Sequence, residues 1–154
     1  MTLEEIAKLM VTKGKGILAA DESTGTMSKR LKSVNVESNE KNRLNFRETL
    51  FTSDSMKTSI SGVILYDETI RQTSSKGILI PELIKKSGSI PGIKVDKGAK
   101  LLAGSDDEKI TEGLDGLRER LQEYYRLGAR FTKWRAVYSI SKSTPTKLSI
   151  ISNA

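Results

Sequence analysis

Gly14-Lys15-Gly16-Ile17-Leu18-Ala19-Ala20-Asp21-Glu22-Ser23-Thr24-Gly25-Thr26 is the stretch that decides the fold. A glycine turn leads into four consecutive apolar residues, Ile17 to Ala20. These stop at a carboxylate and a cluster of turn and cap residues. A short run that is apolar at every position suits a strand covered on both faces, as in a parallel sheet. Asp21 and Ser23 both offer cap chemistry for a short helix over 27–34. The stretch therefore reads as strand, turn, helix.

The same unit recurs along the chain. Upstream, Thr2 with Glu5 forms a capping box and opens a helix to Val11. Downstream, Ser38 is the expected cap of a helix through Leu50, with Leu44 and Phe51 toward the core. Ile60 to Tyr66 is a second strand. Pro81 stands at a first helical position of a helix ending near Gly88. Ile90 to Asp96 is a third strand. From Gly113 to Leu127, Leu114, Leu117, Leu121, Tyr124 and Tyr125 recur at helical spacing, with the leucines assigned to the core and Gly128 as the stop. Ala129 to Ile140 contains a fourth strand, and Thr144-Pro145 opens a last helix. Asp106-Asp107-Glu108 reads as a solvated helix start. Predicted strand starts near 17, 60, 90 and 131 leave room for the roughly 30 residues of each βαβ crossover. The pattern predicts an α/β fold with a parallel sheet in one domain, 1–154; a barrel and a doubly wound sheet both satisfy it.

Composition narrows the chemistry. The 154 residues include 26 basic and 19 acidic side chains, a net charge of +7, which suits an anionic partner. There is no Cys and no His, so disulfides, thiolate chemistry and Ser-His-Asp catalysis are excluded, and most zinc sites with them. Acid–base work falls to Asp, Glu, Lys or Tyr. No apolar run approaches the roughly 18 residues of a membrane span. The acidic start, Met-Thr-Leu-Glu-Glu, is not expected to be a secretory signal. Lys13-Gly14-Lys15-Gly16 lacks the spacing of a phosphate-binding P-loop and reads as a turn.

Charges on strands are the anomaly. Alternation puts Ala19 and Asp21 on one face, Lys94 and Asp96 on one face, and Lys133 and Arg135 on one face. Three of the four predicted strands thus carry charge at or near their carboxyl ends, where α/β folds bind ligands. An unpaired buried charge costs several kcal/mol, so these groups either pair or line a wet pocket. The mixture suits a phosphorylated substrate with a carboxylate for proton transfer, and it suits amine chemistry. Each group also has a plainer reading. Lys94 and Asp96 can be a salt bridge, Asp21 a helix cap, and Lys133 and Arg135 partners of Trp134.

Residues 14–26 with Lys29-Arg30-Leu31 resemble the first barrel strand of class I fructose-bisphosphate aldolase. Gly62-Val63-Ile64-Leu65, Gly92-Ile-Lys-Val-Asp-Lys-Gly98, Gly113-Leu-Asp-Gly-Leu117 and Phe131-Thr-Lys-Trp-Arg135 resemble its later elements, in order and at matching intervals. The resemblance implies a TIM (β/α)8 barrel, of which this chain carries about the first four β/α units. It implies reversible cleavage of fructose 1,6-bisphosphate to dihydroxyacetone phosphate and glyceraldehyde 3-phosphate, in glycolysis, through a lysine Schiff base with no metal or cofactor. Asp21 and Lys133 match catalytic positions. Lys94, with Ser23 and Thr26, matches one phosphate region; Lys29 and Arg30 match the other; Arg43 and Arg135 match further substrate contacts. Thr132 stands where the family often has Ala. The family's Schiff-base lysine and acid–base glutamate fall beyond residue 154. A complete barrel takes roughly 250 residues, and the last helix has no strong stop signal. The chain is therefore expected to be a fragment, inactive and poorly stable alone. A cytoplasmic homotetramer is expected of the intact protein, with a sugar phosphate as substrate and no membrane partner. The rival reading is a basic binding module for nucleic acid or acidic proteins. No helix-turn-helix, RNA-recognition aromatic signature or long basic stripe supports it.

Overall fold

The computed structural model describes residues 1–154. Its elements are α1 (Leu3–Met10), β1 (Gly16–Ala20), α2 (Thr24–Ser33), α3 (Glu40–Phe51), α4 (Ser55–Ser59), β2 (Ile60–Leu65), α5 (Asp67–Ile70), α6 (Ile80–Lys86), β3 (Ile90–Lys94), β4 (Ala99–Leu101), β5 (Lys109–Thr111), α7 (Leu117–Leu127), β6 (Phe131–Lys133) and α8 (Lys147–Asn153). They fall into two compact units, residues 1–94 with 121–132, and residues 95–120 with 133–154.

The first unit holds the main sheet, ordered β1-β2-β3-β6. β1 pairs with β2, and β2 with β3, in parallel. The strands follow chain order with no reversal, which is single winding; a doubly wound sheet would switch direction. Pairing sets Ile17 beside Gly62 and Ala19 beside Ile64, then Gly62 beside Ile90 and Ile64 beside Gly92. These residues share one face. The other face is covered, and Ala20, Val63, Leu65 and Ile93 are buried there. Burying a side chain the size of Leu or Ile stabilises by about 1.5–3 kcal/mol, so this face fixes the register. Ser61 lies on the covered face too, and its hydroxyl donates to the carbonyls of Met10 (2.6 Å) and Gly16 (3.2 Å), fastening the end of α1 to the sheet. On the opposite face the Phe131 ring lies against Gly92 and Gly62. A Cβ on Gly92 would sit 2.3 Å from the ring, and one on Gly62 3.2 Å. Glycine is required at 92 by space, not by backbone angle.

Several boundaries differ from the sequence reading. Thr2 does form its capping box with Glu5, but Asn39 rather than Ser38 caps α3, accepting from the Asn42 N–H at 2.9 Å. Ser38 instead accepts from the Ser28 hydroxyl. Phe51 is buried as expected, whereas Leu44 is half-buried. The short helices α4 and α5 are too brief to show periodicity. α7 starts at Leu117 instead of Gly113, because Gly113 and Gly116 adopt φ of 132° and 65°, outside helical space. Leu114 is consequently 72% exposed and is not core, and Leu121 is also exposed. β3 stops at Lys94 and β6 is only three residues long.

In the second unit, the expected helix start at 106–108 is absent. β4 and β5 pair antiparallel, Ala99 with Thr111 and Leu101 with Lys109. Glu108 is 1% exposed. It accepts from the Thr146 N–H at 2.8 Å and the Thr146 hydroxyl at 2.7 Å. Thr146, not Thr144, therefore caps α8. An acidic triplet looks solvated in sequence when the partner of its last member lies 38 residues away. Arg120 donates to the carbonyls of Val95 (2.9 Å) and Gly113. A Cβ on Gly113 would come within 2.9 Å of the Lys97 nitrogen, so the 95–97 backbone is packed against this glycine.

Gly92→Ala is expected to destabilise the chain by about 1–3 kcal/mol through overpacking, read as a lower urea midpoint, with Gly62→Ala milder and Phe131→Leu restoring part of the Gly92→Ala loss. The Thr146 hydroxyl, then its N–H, hold the Glu108 carboxyl below its ordinary range. A carboxylate depressed on folding contributes stability above its unfolded pKa and loses it as pH falls through the folded value. Amide exchange in α8 should therefore accelerate below about pH 4, and in Glu108→Gln it should already be fast at neutral pH.

Candidate active site

The carboxyl end of β1 supplies the densest set of expected site residues. Ser23 caps α2, its hydroxyl accepting from the Thr26 N–H and lying 3.2 Å from the Thr26 hydroxyl. This fixes both hydroxyls side by side on the first turn. Met27 and Leu31 are buried beneath α2, which leaves Lys29 and Arg30 on its exposed side. Asp21 stands one residue beyond β1, half-buried. Arg30 pairs with Glu22, whose side chain is 11% exposed.

Behind this turn lies a chain of alternating charges that sequence reasoning missed. Arg43 and Arg47 are one turn apart on α3 and both are buried. Arg43 grips Glu68 with two N–H groups, one at 2.9 Å, and gives a third to the Ser38 carbonyl at 2.8 Å. The guanidinium beside it holds the Glu68 carboxyl below its usual range, and Glu68 in turn raises Arg43. Arg47 lies 3.8 Å from both Glu22 and Glu68. The order is thus Arg30, Glu22, Arg47, Glu68, Arg43. The sequence held one clue: two arginines at i and i+4 share a helix face, and α3 buries that face.

The remaining expected residues lie elsewhere. Lys94 ends β3 and is half-buried; it shares its strand face with Gly92. In the second unit, Asp96 is buried and accepts from the Gly98 N–H at 3.2 Å. Lys133 ends β6, and its carbonyl accepts from the Val95 N–H at 3.1 Å. Arg135 is exposed, and its carbonyl accepts from the Thr111 hydroxyl at 2.7 Å. The first unit thus gathers Asp21, Ser23, Thr26, Lys29 and Arg30 about the β1–α2 turn. It ties Arg43 to Glu68 and puts Lys94 at the end of a strand two places away in the sheet. Lys133 and Arg135 belong to the second unit. A carboxylate, paired hydroxyls and cations about one turn can bind a phosphate and move a proton.

The family model for fructose-bisphosphate aldolase class-I matches residues 2–154. The chain is 54% identical over 151 residues to the "Probable fructose-bisphosphate aldolase class 1" of Xylella fastidiosa, covering 98% of this chain and 45% of that protein. It is 55% identical over 148 residues to the pea "Fructose-bisphosphate aldolase, cytoplasmic isozyme 1", covering 96% and 42%. Among solved structures, the Plasmodium falciparum fructose-bisphosphate aldolase in complex with TRAP and a small-molecule inhibitor superposes with a TM-score of 0.92 at 46% identity, over 96% of this chain and 43% of that one. The chain spans under half the length of the relatives it matches.

Removing one partner of a buried ion pair strands the other charge. Glu68→Met is expected to cost about 3 kcal/mol in urea unfolding. Arg43→Met combined with Glu68→Met should cost less than the two single losses added together.

Proposed function

Because the chain belongs to the class I fructose-bisphosphate aldolase family, and its sheet is a segment of that family's α/β barrel, we propose that it supplies the first half of an aldolase active site. The substrate is fructose 1,6-bisphosphate, and the products are dihydroxyacetone phosphate and glyceraldehyde 3-phosphate. The family's amine nucleophile has no counterpart within these 154 residues, so the chain contributes binding and proton transfer. The amine adds to the C2 ketone, and loss of water gives an iminium. The C3–C4 bond then breaks as the C4 hydroxyl gives up its proton: its electron pair becomes the C2–C3 double bond of an enamine, the C=N π pair moves onto nitrogen, and glyceraldehyde 3-phosphate leaves. Protonation at C3 and addition of water then release dihydroxyacetone phosphate and the amine.

Asp21 takes and returns protons during carbinolamine formation and cleavage. Lys133 assists dehydration and contacts substrate. Ser23, Thr26 and Lys94 hold one phosphate. Lys29 and Arg30 hold the other, Arg30 turning from Glu22 toward it. Arg135 contacts substrate from the strand-four motif. Arg43, engaged by Glu68 and Ser38, serves the site from behind. The observation that carries this reading is the β1–α2 turn, where Asp21 follows the buried last residue of a parallel strand, Ala20, and Ser23 caps the next helix beside Thr26. The intact protein is a cytoplasmic homotetramer by the family's pattern.

The binding-module reading is not favoured, because the relatives this chain matches over nearly its whole length are named fructose-bisphosphate aldolases. No helix is long and apolar enough to cross a membrane.

With this chain fused to the carboxyl-terminal remainder of the Xylella relative, borohydride should trap substrate on the protein. Asp21→Ala should slow cleavage by about a hundredfold or more, read by coupled assay of released glyceraldehyde 3-phosphate. Undiminished turnover in Asp21→Ala would remove the role given to that carboxylate.

A further inference from the structure

β1 loses its sheet partner at Ala20, where its register with Leu65 of β2 ends. The residues that carry the proposed chemistry begin just beyond that strand end. Backbone carbonyls in a buried turn gain from further donors. Arg47 supplies two of them. Its Nε donates to the Ala20 carbonyl at 3.2 Å, and its Nη2 to the Glu22 carbonyl at 2.5 Å. These two residues flank Asp21. One planar fork thus fixes the peptide entering Asp21 and the peptide leaving Glu22, bracketing the Asp21 backbone from both sides.

The guanidinium is itself held. Its side chain is 1% exposed, Glu22 and Glu68 lie at 3.8 Å, and the Tyr66 ring lies 5.9 Å beneath it. Its Nη1 makes no hydrogen bond. Burial pushes Arg47 below its ordinary pKa while the two carboxylates oppose that. Apolar packing can replace a buried ion pair without loss of stability, so cohesion alone gives little reason for a cation here. A rigid five-donor fork that spans two carbonyls is something only Arg offers.

From this geometry we infer that Arg47 is a positioning residue for Asp21: it sets where that carboxylate points, and touches no substrate. The inference rests on the catalytic role proposed for Asp21. Its functional consequence is a loss of kcat with KM little changed, because misplacing a reacting group slows chemistry more than it weakens binding.

The test uses the fused barrel with Arg47→Met, and with Arg47→Lys, which keeps the charge but not the fork. Both should retain the far-ultraviolet circular dichroism of the parent. Both should lower kcat by about tenfold to a hundredfold and raise amide exchange in the peptide spanning residues 18–24 above that of β2 and β3. In an Asp21→Ala background, Arg47→Met should lower kcat no further. Unchanged exchange in that peptide, additive effects of the two substitutions, or full activity in Arg47→Lys would each overturn the inference. If the unsubstituted fusion shows no cleavage, or Asp21→Ala is fully active, the catalytic reading fails. The exchange measurement then still decides whether Arg47 orders the turn.

Discussion

A guanidinium buried to 1% exposure has to be surrounded by acceptors, and Arg47 dictates what those are. Two backbone carbonyls and two carboxylates meet it, drawn from the end of β1 and from α5. Arg43 on the same helix secures one of those carboxylates, and Arg30 on α2 pairs with the other. Three elements outside the sheet are thereby tied to the carboxyl end of its first strand. The cost of burying these charges is offset only while every member is present, so the cluster specifies geometry more than it adds stability.

The sheet answers to a steric constraint of the same strictness. One face packs Val63, Leu65 and Ile93 with no exposure. The other must stay small at Gly62 and Gly92 to admit the Phe131 ring. Alternation along β3 then carries Lys94 to the same side as Gly92. The parity that sorts apolar from small residues also sorts the chemistry, so packing and function are set by one register.

The strand–turn–helix around Asp21 was legible because local signals agreed there: a full apolar run, a carboxylate stop and a cap at Ser23. The order of strands, hence single winding, needed the family resemblance, because alternation alone fits two α/β architectures. What sequence could not show was partnership at a distance. Glu108 looked like a solvated start, yet its acceptor sites are filled by Thr146. Leu114 had helical spacing, yet two glycines at positive φ kept it out of the helix. Arg43 matched a substrate contact, while its guanidinium is engaged by Glu68 and Ser38. Arg47 shares a helix face with Arg43 by spacing alone, but nothing in a run of polar helix residues announces that this face is the buried one.

If, as proposed, these 154 residues provide one half of a lyase site, they require the other. The direct measurement is release of glyceraldehyde 3-phosphate from fructose 1,6-bisphosphate by the chain alone, and by the chain mixed with the separately expressed carboxyl-terminal remainder of the Xylella relative. The chain alone should show no turnover, and mixing should recover it. Turnover by the isolated chain, or none in a mixture shown to associate, would contradict that proposal.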